Sequence, residues 1–179
     1  PGTVGRPHAL FAMGVESPGG EACAPGVSGE IVAQGPTVMR GYLDDEEATA
    51  STLRGGWLHT GDLGRIDEDG FVYITGRLKE IINRGGEKIS PREVDEVLLK
   101  HANVRQAVAF ALPDPVLGEQ VAAAVVLLDP EVATGEDELR RFAVLYLADF
   151  KVPVRIVLVP EIPKGPTGKL QRIGLAEKL

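Results

Sequence analysis

Two runs in the second half of the chain, residues 106–112 and 120–128, are so rich in Val and Ala that they read as strands buried on both faces. Strands of that kind need cover. Upstream, Ser90-Pro91-Arg92-Glu93 places an N-cap, a proline at the first helical position and an acid at the capping-box position in a row, predicting a helix over 91–100. Val94, Val97, Leu98 and His101 recur at helical spacing, so this helix should pack on the sheet. Thr134 and Asp137 predict a second helix over 136–148, with Leu139, Phe142, Ala143, Leu145 and Tyr146 as its apolar face. A strand over 154–159 and a short terminal helix complete the reading. With a short strand at Ile81-Ile82 and a turn at Gly85-Gly86, the order is strand, helix, strand, strand, helix, strand. That order describes a compact α+β domain of about 100 residues, a sheet packed with helices.

The residues before Gly76 follow another pattern. Short strands are predicted over 29–33, 63–67 and 71–75, the last two flanking the Asp67-Glu68-Asp69-Gly70 hairpin turn. Asp44 is the candidate N-cap of a short helix, with Glu47 at its capping-box position. The segment Gly76-Arg77-Leu78-Lys79 then marks the boundary between a β-rich first part and the α+β domain.

At 179 residues with 44% hydrophobic residues the chain can bury a core, and its 22 Gly and 13 Pro favour short strands and turns over a helical bundle. A formal charge of −7 argues against a general affinity for nucleic acid or an anionic membrane, leaving small molecules as the expected partners. The single cysteine, Cys23, excludes an internal disulfide framework and fits a reducing compartment, so a cytoplasmic location is expected. No apolar run reaches membrane-spanning length. The start, Pro1-Gly2-Thr3-Val4-Gly5, has neither an initiator Met nor a signal-peptide layout, and reads as the middle of a protein.

Near the C-terminus, Pro163-Lys164-Gly165-Pro166-Thr167-Gly168-Lys169 is a stiff, glycine-hinged loop that brings a lysine to its tip. Lys169 suits phosphate or carboxylate oxygens, although the loop taken alone reads as a solvated surface turn. Other motifs accompany it. Ser28-Gly29-Glu30-Ile31 with Gly35 and Gly41-Tyr42, then Gly56-Trp57-Leu58-His59-Thr60-Gly61-Asp62-Leu63, then Gly76-Arg77-Leu78-Lys79-Glu80-Ile81-Ile82, and finally the 163–172 loop occur in this order. Together they resemble the adenylate-forming superfamily of acyl-CoA synthetases, luciferases and peptide-synthetase adenylation domains. Residues 83–91, Asn83-Arg84-Gly85-Gly86-Glu87-Lys88-Ile89-Ser90-Pro91, look most like bacterial fatty-acyl and plant acyl-CoA synthetases, including the oxalate-CoA ligase branch.

The resemblance implies a reaction in which a carboxylic acid and ATP, with Mg2+, give an acyl adenylate, whose AMP is then exchanged for the thiol of CoA. It implies that Lys169 is the adenylation lysine, catalytic and nucleotide-binding, and that Asp62 accepts hydrogen bonds from the ribose hydroxyls. Arg77 would also contact the nucleotide, its fixed donors suiting ribose and phosphate oxygens. Lys79 sits at the family's hinge, and Gly85-Gly86 would approach the CoA arm. No metal ligand is assigned. Taken alone, Asp62 reads as a turn residue and Arg77 as a solvated hairpin end, while Lys79 reads equally as an exposed lysine and Gly85-Gly86 as a tight turn. Asn83 departs from the luciferase-like members, which carry a lysine there.

Three regions follow from the resemblance: 1–76 as the terminal β subdomain of a large N-terminal domain, 77–79 as the hinge, and 80–179 as the small C-terminal domain. The family's phosphate-gripping loop and acyl pocket have no counterpart in this sequence, so the expectation is a C-terminal fragment whose partner is the missing N-terminal domain. Two other readings stand beside it: an adenylation domain loading a carrier-protein thiol, and a non-catalytic module that binds nucleotide or CoA.

Overall fold

Five antiparallel strands make the first of two units, Pro1–Lys79, in the computed structural model, which describes residues 2–165, 168 and 170–179. The strands are β1 (Ala12–Glu16), β2 (Gly29–Gln34), β3 (Leu53–Arg54), β4 (Trp57–Ile66) and β5 (Val72–Arg77), with one short helix, α1 (Glu46–Thr52), ahead of β3. β4 is the spine. β2 runs along one edge of it, while β3 pairs with its first residues and β5 with its last on the other edge. Val15, Ile31 and Val72 form a small core between β1, β2 and β5. The hairpin at Asp67 forms as predicted: Phe71 N donates to Asp67 Oδ1 at 2.8 Å and Gly70 takes φ +79°.

Two expectations for this unit change. The strand predicted over 63–67 is the second half of the ten-residue β4, because Thr60-Gly61-Asp62, which carries turn chemistry, is a bulge inside a strand. The helix cap moves by one residue. Asp44 adopts a left-handed φ of 53°, which Asp tolerates better than most residues, and Asp45 becomes the N-cap, accepting from Ala48 N at 2.8 Å.

The second unit, Glu80–Leu179, contains β6 (Ile82–Arg84), β7 (Glu87–Ile89), α2 (Pro91–Leu98), β8 (Val104–Asp114), β9 (Gly118–Leu127), α3 (Glu136–Val144) and β10 (Arg155–Leu158). β8 and β9 form a long antiparallel hairpin, with Val104 opposite Leu127 and Asp114 opposite Gly118. β10 adds to β9 in parallel and β6 joins it at Arg84 opposite Gly118. The fold is thus α+β, as expected, with the sheet antiparallel except for β10.

Period-two alternation divides the β8–β9 hairpin between two covers. Ala107, Ala109, Val121, Ala123 and Val125 face Val94, Val97 and Leu98 of α2 and Leu139 and Ala143 of α3. Val108, Phe110, Ala122, Ala124 and Val126 face Ile162 and Leu175 from the C-terminal segment. Both faces are therefore dry, which is why both strands are continuously apolar. No helix among the described residues is long and apolar enough to cross a membrane.

α3 is shorter than predicted. It ends at Val144, and Leu145 and Tyr146 lie largely in solvent, so its apolar face is Leu139 and Ala143 with Phe142 half-buried. Thr134 is not its cap. The Thr134 hydroxyl accepts from the buried Asn103 Nδ2 at 3.0 Å, and Gly135 takes the N-cap position. The predicted terminal helix is a succession of turns around Leu175.

Because Leu175 is fully buried under the sheet, Leu175→Ala should destabilise the chain by about 2–5 kcal/mol in denaturant unfolding. Leu145→Ala, on the exposed turn after α3, should change stability by less than about 0.5 kcal/mol.

Candidate functional site

Asp62 and Arg77 face each other across β4 and β5, and Arg77 Nε lies 2.9 Å from Asp62 Oδ1. The guanidinium is 61% exposed and the carboxylate 27%, so water screens the pair and either member can exchange its partner for a ligand. Among the described residues neither side chain has a second partner. An acceptor-only carboxylate beside a planar fork of donors suits a hydroxylated, negatively charged ligand such as a nucleotide.

The bulge sets the direction of Asp62. Opposite β4, the β2 partners step from Glu30 to Val32 while β4 steps from Leu63 to His59, so residues 60–62 lie against Ile31 alone. Gly61 takes φ +71°, a conformation that favours glycine. Thr60 Oγ1 donates to Ile31 O at 2.7 Å and accepts from Asp62 N at 3.1 Å. Glu30, on β2, holds the rest. Its Oε1 accepts from Gly61 N at 3.0 Å, and its Oε2 lies 3.0 Å from His59 Nδ1 and 3.4 Å from an Arg54 nitrogen. Glu30 is thus a support of the candidate site to which no sequence pattern assigned a role. The available signal was an acid in a strand one residue before a fully buried isoleucine.

In the second unit the glycine turn is held by the β8–β9 turn. Gly85 N donates to Leu117 O at 2.8 Å, and a Cβ on Gly85 would come within 3.1 Å of Leu117 Cδ2. Gly86, at φ +98°, opens onto free space, so a thin substrate could pass its backbone. Asn83 N donates to Glu119 Oε2 at 2.6 Å, and Arg84 Nε to Gln120 Oε1 at 3.2 Å. Asp114 closes this arrangement. It accepts from Leu117 N, Val116 N and Gln120 Nε2 at 2.8–2.9 Å, and these donors, Leu117 N foremost, hold its carboxyl below the usual aspartate range.

The lysine loop has a closed foot. Lys164 bridges Leu170, and Gln171 N donates to Pro163 O at 2.9 Å. Lys169 itself lies outside the described residues, as do Pro166 and Thr167. Lys79 sits in a 3-10 turn, Leu78–Glu80, and is exposed. Asp62 and Arg77 are thus brought together within the first unit, while Gly85, Gly86 and the loop foot belong to the second. No group of three or more His, Cys, Asp or Glu that could hold a metal ion occurs among the described residues.

Residues 93–169 match the AMP-binding enzyme C-terminal domain. Among curated proteins, the oxalate–CoA ligase of Arabidopsis thaliana is 45% identical over 172 residues, 96% of this chain and 33% of that protein. Among solved structures, the amide bond synthetase McbA of Marinactinospora thermotolerans superposes with a TM-score of 0.90 at 37% identity, over 99% of this chain and 36% of that one. The o-succinylbenzoate-CoA synthetase of Bacillus subtilis, solved with ATP and a magnesium ion, gives a TM-score of 0.88 at 35% identity, over 97% of this chain and 35% of that one. The family model thus takes in residues 93–169 of the 179, and nearly the whole chain is similar to a part of each of these longer proteins. The chain spans about a third of the length of the curated relatives it matches.

The depressed Asp114 carboxyl makes a signed prediction. Stability from this group is present above its unfolded value of 3.8 and is lost as pH falls through its lower folded value. Asp114→Ala should therefore lower the thermal midpoint near neutral pH, with the gap to wild type closing below pH 3.8; a constant gap would remove the assignment.

Proposed function

We propose that this chain is the C-terminal portion of an AMP-forming acyl-CoA synthetase. Asp62 and Arg77 hold the nucleotide, and Lys169 serves the adenylation step. In that step a carboxylate oxygen of the acid attacks the α-phosphorus of ATP. The bond to the β-phosphate oxygen breaks, and pyrophosphate leaves with the electron pair. In the second step the sulfur of CoA attacks the acyl carbon, its proton passes to the medium, and AMP leaves. Charge moves between oxygens in both steps, so fixed donors and cations lower the barriers.

The observation that carries the reading is the Asp62–Arg77 pair, aimed from a bulge that Glu30 and Thr60 build for it. Asp62 accepts the ribose hydroxyls and Arg77 donates to ribose or phosphate oxygens. Lys169 bridges the carboxylate and α-phosphate, and Lys79 is the hinge between 1–76 and 80–179. Gly85 and Gly86 lie beside the CoA arm, where Gly86 leaves an open backbone. Mg2+ enters as the counter-ion of ATP, with ligands in the remainder of the enzyme. The first unit fits a larger whole: among its described residues only Val15, Ile31, Val32 and Val72 are buried hydrophobics, while Val4, Leu10 and Leu43 are at least 65% exposed. The lone Cys23 fits a cytoplasmic enzyme.

The acceptor has one rival reading. The similar fold of the amide bond synthetase indicates that this architecture serves acceptors other than CoA. A carrier-protein thiol is chemically equivalent to that of CoA.

Pyrophosphate exchange by the full-length enzyme, run against carboxylic acids from oxalate to long-chain acids, tests the reading. Acyl-CoA formed only when CoA is present supports it; product formed only with a carrier protein or an amine moves the acceptor, and no exchange with any acid rejects the synthetase. Lys169→Ala should abolish most of the exchange while sparing acyl transfer from preformed acyl adenylate. Asp62→Ala should raise KM for ATP about 10- to 100-fold, the equivalent of losing one charged hydrogen-bonded contact to the ribose.

A further inference from the structure

The most heavily buried charged cluster of the second unit lies at the foot of the lysine loop. Arg172 is 15% exposed, and all three of its guanidinium nitrogens are engaged. Nε donates to Glu80 Oε2 at 2.9 Å, and one terminal nitrogen donates to Asp95 Oδ2 at 2.7 Å. The other reaches Asp95 Oδ1 at 3.3 Å and also donates to Ala109 O. Asp95, on α2 and 11% exposed, completes the arrangement by accepting from Ala109 N at 2.5 Å.

Among the described residues β8 is paired on one side only, by β9, so its other edge has no strand partner for its backbone groups. At Ala109, which is fully buried, Asp95 takes the N–H and Arg172 takes the C=O. The pair caps the edge strand as another strand would. It also joins the covers of the two sheet faces, because α2 lies on one and the segment from Ile162 to Leu175 on the other.

A buried ion cluster is a poor source of stability, since apolar residues of similar volume often do as well or better. Its distinct property is direction. Arg172 ties three points together: the helix, the sheet edge, and Glu80, the first residue of the second unit and the neighbour of Lys79. Along the chain it stands two residues beyond Leu170, where the loop closes on Lys164. Three positions along the chain separate it from Lys169, so the two stand on the same short leg of the loop.

We propose that Arg172 is a positioning residue for adenylation, locking the downstream leg of the lysine loop to the β8 edge and to Glu80, so that hinge and loop move as one body. Glu80 and Asp95 are its two anchors. The inference rests on the synthetase reading, and on the role of Lys169 within it.

The test uses the full-length enzyme with Arg172→Lys, which keeps the charge and loses the fork, alone and combined with Lys169→Ala. Pyrophosphate exchange, acyl transfer to CoA from synthetic acyl adenylate, and the thermal midpoint are measured for each. Arg172→Lys should lower kcat for exchange about 100-fold, leaving KM for ATP and acyl transfer within about threefold. Added to Lys169→Ala, it should cost less than about threefold more, because both changes act on the same loop. An equal fall in both half-reactions, or losses that multiply in the double variant, would overturn the proposal and leave the cluster a purely structural one. Should Arg172→Lys fail to fold, Glu80→Gln carries the same comparison with an expected loss of about tenfold in exchange alone. Full exchange by Lys169→Ala in an active enzyme would instead sink the role of Lys169 in the synthetase reading, whatever Arg172 does.

Discussion

Burial of the β8–β9 hairpin on both faces is the constraint around which the second unit is organised. Small side chains, with Ala109, Ala122, Ala123 and Ala124 fully or nearly fully excluded from water, let cover approach from both sides. α2 and α3 supply one cover. The other comes from the last stretch of the chain, where Ile162 and Leu175 are both fully buried. The lysine loop is thus strung between two anchors of a core rather than hung on a tail.

Two of the arginine–aspartate pairs among the described residues show how burial divides the work of the same chemistry. Arg77 and Asp62 meet at the surface of the first unit, where water screens them and a ligand can take either partner. Arg172 and Asp95 meet at a covered strand edge, where all three guanidinium nitrogens and both carboxylate oxygens are engaged. Burial pushes the Asp95 carboxyl up, and Arg172 and the Ala109 amide only partly offset this. The guanidinium is itself held charged by Asp95 and Glu80. Exchange of partners is costly there and easy at Asp62, which suits one pair to holding position and the other to holding a ligand.

Much of the fold was legible because it rests on local rules. The Asp-Gly hairpin, the Ser-Pro start of α2 and the two Val/Ala strands were all read from neighbouring residues and are present. The misreadings arise where a distant partner intervened. Thr134 carries cap chemistry, yet its hydroxyl serves Asn103, far away in sequence. Leu145 and Tyr146 keep the helical spacing, but α3 ends before them. Thr60-Gly61-Asp62 looks like a turn and is a bulge, because Glu30 on the adjacent strand bonds the Gly61 amide.

For the candidate site the division is similar. Sequence alone nominated the residues for the chemistry, since a carboxylate, a guanidinium and a lysine in a glycine-hinged loop are properties of residue type and order. It also pointed to the family, through motifs whose joint order is specific. Only the tertiary structure decided what surrounds the described ones. The pairing of Asp62 with Arg77, the support from Glu30, and the tie from Arg172 to Asp95, Ala109 and Glu80 join residues 15 to 92 positions apart. No periodicity reports contacts at such separations, because they arise only when sheet register and core packing have placed the strands.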